Sequence, residues 1–115
     1  MVLRFMDNKK DDKYYIKKAT AEINAIIDYT KGMSYDEFMS NLVIIDAVMF
    51  RLIQLIENIK NISTSYKDDH LEIPWGKIMG FRNGIVHEYG ETDYSIVYEV
   101  VSNDIYQLKE FFEKE

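Results

Sequence analysis

Eight consecutive positions, Arg82-Asn83-Gly84-Ile85-Val86-His87-Glu88-Tyr89, gather a guanidinium, a carboxamide, an imidazole, a carboxylate and a phenol. Such a set suits phosphodiester cleavage. A histidine that titrates near neutrality can move a proton, and a guanidinium can hold developing phosphorane charge in its fork, with no metal required. Arg82 and His87 are five residues apart, which on a continuous helix separates them by about 140°. Two arrangements bring them together. Either the helix ends before His87 and the imidazole swings back, or the same segment of a symmetry mate completes the pair. The spacing alone is short, and a surface arginine followed by a histidine capping a helix C-terminus would leave the same pattern.

The other polar residues are less suggestive. His70 follows Asp68-Asp69 in a polar stretch and reads as an ordinary exposed histidine. No cysteine and no H-E-x-x-H occurs, and the two histidines stand seventeen positions apart, so neither a metal nor another cofactor is expected. Asp46 and Arg51 fit the solvent margin of an apolar helix, and Glu57 fits either the surface or the neighbourhood of the site. Most of the nine tyrosines read as core or rim residues with hydroxyls in water; Tyr89, just before Gly90, is the exception.

These groups must be positioned by helices, because apolar spacing is helical almost throughout. Asp11 or Asp12 caps a first helix over roughly 11–31, with Ile16, Ala19, Ile23, Ile26, Ile27 and Thr30 at three- and four-residue steps and Lys31-Gly32 as its stop. Ser34 and Glu37 form a capping box opening the longest helix, expected to last to about Ile62. Its apolar residues cover more than one face, so it needs partners on two sides, one of which could be a second copy of the chain. A polar connection, Ser63 to His70, leads to Pro74 at the first turn of a short helix through about Val86. Asp93 caps a last helix carrying Ile96, Val97, Val100, Val101, Ile105, Leu108, Phe111 and Phe112. The expected fold is therefore all-α, an up-and-down bundle of four main helices in one domain spanning residues 1–115. No Gly-rich phosphate loop and no Rossmann fingerprint is present.

Composition narrows the function classes. With 115 residues, 47% apolar and no cysteine, the chain fits a single globular unit in a reducing cytoplasm. Asp7, Lys9 and Lys10 interrupt the N-terminus, so no signal-peptide core is expected, and Asp46, Arg51, Glu57 and Lys60 break the most apolar tract, Leu42 to Ile62, against a membrane role. Net charge runs from +3 over residues 1–18 through −3 over 19–87 to −6 over 88–115, summing to −6. A chain of that sign cannot gather nucleic acid by its global field, so any RNA contact must come from local positive groups or a symmetric arrangement of them.

The segment from Ile73 to Tyr89, I-P-W-G-K-I-M-G-F-R-N-G-I-V-H-E-Y, closely resembles the signature of the HepT toxins of the HEPN superfamily, on and after the third main helix. A weaker similarity extends over nearly the whole chain, including the Tyr29-Thr30 end of helix one, the long helix with Glu57 and the acidic last helix. The resemblance implies a HEPN-like helical homodimer in which the R-x4-H motifs of two subunits face one another as a metal-independent ribonuclease. It implies Arg82 and His87 as catalytic residues, with Asn83 in support. It also implies a toxin–antitoxin partner, an MntA-type nucleotidyltransferase that transfers AMP to Tyr89. Many relatives have a bulkier residue where Gly84 stands, and some have glycine where Glu88 stands: the glycine at 84 weakens a helix by up to about 1 kcal/mol relative to alanine, and the extra carboxylate either repels RNA or orients His87. The competing reading is a catalytically silent helical dimer that binds a nucleotide or the transferase. A stand-alone scaffold leaves the clustering of Arg-Asn with His-x-Tyr unexplained.

Overall fold

In a computed structural model, which describes residues 10–87 and 92–114, every regular element is helical. α1 spans Asp12–Thr30, and the Asp11 carboxylate accepts the Tyr14 amide at its start. Ala19, Ile23, Ile26 and Thr30 form its buried face at steps of four, three and four residues. Thr30 can sit there because its hydroxyl donates to the Ile26 carbonyl at 2.8 Å. Beyond Lys31 the chain turns at Gly32, whose φ of +72° favours a residue without a Cβ.

The capping box at Ser34 and Glu37 forms, but it opens only α2, Tyr35–Met39, and not the long helix expected from it. The interruption has a local cause. The Ser40 hydroxyl bonds back to the carbonyls of Asp36 and Glu37, while the Asn41 side chain accepts the Ile44 amide and caps a new helix. That helix, α3, runs Leu42–Lys60 and packs most extensively on α1. Ile45, Val48, Met49, Leu52, Leu55, Ile56 and Ile59 are buried along it, and truncating such a residue to alanine costs about 2–5 kcal/mol.

The polar connection after α3 is itself partly helical. Ser63 accepts the Tyr66 amide and starts α4, Thr64–Asp69. His70 ends α4; it is half-buried rather than exposed, its ring stacked on Tyr66 at 3.9 Å and its Nδ1 2.8 Å from the Tyr66 carbonyl oxygen. Pro74 then precedes α5, Trp75–His87, and its carbonyl accepts the Ile78 amide. Three glycines of α5, Gly76, Gly80 and Gly84, recur every four residues, so its helicity owes more to packing Ile78, Phe81 and buried Ile85 on the core than to propensity.

The last helix starts at α6, Tyr94–Glu99, where Asp93 accepts the Ser95 amide, and continues to α7, Ile105–Glu113. Between them Val100–Asp104 forms a wider π turn. Val97, Val101 and Ile105 recur at steps of four and are all buried. On an α-helix each such step drifts by about 40°, so a wider turn keeps all three against the core. Among the described residues, α1, α3, α5 and the α6–α7 helix are the four main helices, with α2 and α4 as short additions, and no helix is long and apolar enough to cross a membrane.

Candidate functional site

α5 is fixed at both ends. At its start the Trp75 indole donates to the carbonyls of Lys67 and His70 at 3.2 and 3.0 Å, locking it to α4. The Lys67 ammonium lies 5.8 Å from the Trp75 ring, and burial pushes its pKa down, opposed by the charge of Asp12. In its last turns α5 carries Arg82, Asn83 and His87.

Arg82 reaches across to α3. Its Nε and Nη2 donate to the same oxygen, Oε1 of Glu57, at 2.8 and 2.6 Å. Nη1 donates to Oδ1 of Asn83 at 3.2 Å. The Arg82 side chain is 20% exposed and that of Glu57 is 38% exposed, so the pair lies at the protein–water boundary rather than in the core. There an ion pair adds about 0–1 kcal/mol to stability. Its larger consequence is geometric, because one edge of the guanidinium is taken up by protein. Arg82 is therefore not the unattached surface arginine that its spacing alone would allow. By sequence Glu57 fits either the surface or the site; it stands twenty-five positions before Arg82, and only the crossing of α3 and α5 brings them together.

His87 is the last residue of α5, so the helix does not end before it. Positions 82 and 87 stand on one unbroken helix, about 140° apart around its axis. Tyr89 and Glu88 lie outside the described residues.

Other polar clusters are built into the scaffold. Arg51, expected at a solvent margin, ties α3 to α1 by bonding the Tyr29 hydroxyl and Glu22, each at 3.2 Å. The Tyr98 hydroxyl donates to the Met33 carbonyl, so this tyrosine tip, like that of Tyr29, is bound by protein. A cleft of about 400 Å³ opens where α5 stands off from the last helix. Its walls, including Leu52, Ile56, Ile78, Phe81, Val100 and Phe111, are mostly apolar, with Lys77, Asp104 and Gln107 also lining it; neither Arg82 nor Glu57 does.

Residues 19–115 match the family model described as "Ribonuclease HepT-like". The chain is 32% identical over 106 residues to a "Putative RNase" of Methanocaldococcus jannaschii, covering 92% of this chain and 91% of that one. It is 29% identical over 110 residues to a "Putative RNase" of Caldanaerobacter subterraneus, covering 92% and 98%. Against the "Probable ribonuclease HepT" of Thermococcus cleftensis it is 30% identical over 106 residues, covering 92% and 96%. No solved structure matches the chain.

Proposed function

Because the chain belongs to the Ribonuclease HepT-like family of the HEPN superfamily, we propose that it is the toxin of a toxin–antitoxin pair, a metal-independent endoribonuclease whose site two copies build together. The observation that carries this reading is the held guanidinium of Arg82 on an unbroken helix with His87 five positions on. Positions so far apart around one helix are served by a second copy that brings its own motif opposite.

In this reaction the RNA 2′-oxygen attacks the adjacent phosphorus and the 5′-oxygen leaves. His87 assists transfer of the 2′-hydroxyl proton toward the leaving oxygen, and Arg82, supported by Asn83, holds the extra charge of the pentacoordinate phosphorus. The products carry a 2′,3′-cyclic phosphate or the 3′-phosphate formed from it.

A surface suited to the second copy exists on α3. Val43 and Phe50 are 78% and 57% exposed, and with Asp46, Ile53 and Glu57 they follow three- and four-residue steps down one stripe. The stripe is the seam spacing of packed helices and ends at the residue that holds Arg82. Control by the partner nucleotidyltransferase falls on Tyr89. AMP on its phenol adds a negative phosphodiester and a base two residues past His87, where it competes with RNA phosphate by repulsion and occlusion.

Purified protein and end-labelled RNA in excess EDTA test the reading. Wild type is expected to cut and leave cyclic phosphate ends, while folded Arg82→Ala and His87→Ala lose on the order of 10²–10³ in rate. No cleavage by wild type favours the silent binding module; cleavage that EDTA abolishes and magnesium restores refutes the mechanism. Incubation with the transferase and ATP should add AMP units to wild type and not to Tyr89→Phe; equal modification of both refutes the assignment of Tyr89.

A further inference from the structure

We propose that Glu57 is a positioning residue of the ribonuclease site, acting through Arg82 by fixing which edge of the guanidinium meets the phosphate; the inference rests on the ribonuclease reading above. Arginine has five N–H donors in one plane. Glu57 Oε1 takes one from Nε and one from Nη2, and Asn83 takes one from Nη1. Among the described residues nothing else takes its donors, so two N–H groups, one on each terminal nitrogen, are left for phosphate oxygens. The guanidinium has one orientation to offer instead of a swinging set, and transition-state charge stabilisation depends on donors already in place.

Electrostatics separates this role from simple attraction of RNA. A carboxylate against the guanidinium cancels much of its field and repels an incoming phosphate, so an arginine used only to gather RNA would work better without it. Glu57 therefore raises the catalytic step at some expense of substrate affinity. It differs equally from a purely structural tie, because α5 is already held by buried Ile85, by Ile78 and Phe81 against the core, and by the Trp75 indole on α4.

The test is steady-state cleavage of one RNA by full-length wild type, Glu57→Gln, Glu57→Asp, Arg82→Ala and the Glu57→Gln/Arg82→Ala double variant, with helix content and molecular mass checked for each. Glu57→Gln is expected to lower kcat by roughly 10–100-fold with KM unchanged or lower. Glu57→Asp, which keeps the charge on a shorter arm, should recover part of that loss. In the Arg82→Ala background the glutamine should cost nothing further, since its effect passes through the guanidinium. A folded Glu57→Gln with wild-type kcat overturns the inference, as does a full additional loss in the double variant. If Glu57→Gln fails to fold, Glu57→Asp decides: wild-type kcat overturns the proposal and reduced kcat at constant KM supports it. Wild type that cuts no RNA removes the ribonuclease reading, and this inference with it.

Discussion

Asp12 takes both hydrogen bonds that Ser63 can donate, its Oδ1 accepting the amide and its Oδ2 the hydroxyl, each at 2.7 Å across 51 positions of chain. Ser63 at the same time caps α4, so the first turn of α1 is joined to the corner that leads into α5 and Arg82.

This contact makes the fold acid-sensitive. The Ser63 hydroxyl, and next its amide, hold the Asp12 carboxyl below its usual pKa. The Ser34 amide and then its hydroxyl do the same for Glu37, and the Ser95 hydroxyl and then its amide for Asp93. A carboxyl whose folded pKa is depressed binds protons more readily unfolded, so its stabilisation is full above the unfolded value and fades as pH falls through the folded one. The urea midpoint is expected to hold above about pH 5 and decline below about pH 4. In Asp12→Asn the decline should be shallower; an identical pH profile in that variant would count against the assignment.

Two glycines with equally open surroundings should respond in opposite directions to alanine. A Cβ at either Gly32 or Gly84 meets nothing within 4 Å, so sterics with neighbours do not decide. Gly32 has φ of +72°, where an L side chain costs about 1–2 kcal/mol. Gly84 lies within α5, where alanine gains up to about 1 kcal/mol. Urea unfolding at one protein concentration should place Gly32→Ala below wild type and Gly84→Ala above it; a shift of the same sign in both would contradict the backbone argument.

Phe50→Glu tests the α3 stripe. The ring is 57% exposed, so the charge costs the isolated chain little, whereas burial of an unpaired carboxylate between two helices is expensive. Light scattering should give twice the 13.7 kDa chain mass for wild type and the single mass for Phe50→Glu, with unchanged helix content. RNA cleavage should fall with the dimer. A variant that stays dimeric and active would move the interface elsewhere.

The sequence made the helical periods legible because burial on one face writes itself into three- and four-residue steps, as at Ala19, Ile23 and Ile26. Caps at Ser34 and Asp93 were equally readable, and that of α1 was narrowed to Asp11 or Asp12, since each is a contact within three residues. The break at Ser40-Asn41 was not, because apolar spacing continues across it and a capping asparagine resembles one on a helix surface. The π turn was hidden for a related reason: Val97, Val101 and Ile105 show their step of four, but the core decides whether the backbone or the side chains absorb the drift. In the site, Arg82, Asn83 and His87 stood together in the chain, whereas Glu57 became visible only through the crossing of α3 and α5.

The division of labour between two copies can be read from a mixture of dead proteins. Arg82→Ala retains His87, and His87→Ala retains Arg82. If the arginine of one chain works with the histidine of the other, a mixed dimer has one site lacking both groups and one site intact. Random exchange makes about half of all dimers mixed, each with one working site of two, so the mixture should regain roughly a quarter of wild-type activity. If each chain used its own pair, no site in any dimer would be complete and the mixture would stay as inactive as its components. The unbroken course of α5 through His87 supports the first outcome, because it places positions 82 and 87 of one chain about 140° apart around one helix axis. Mixing after partial denaturation and refolding, followed by cleavage of the same labelled RNA, separates the two; activity no higher than that of either variant alone would refute the shared site.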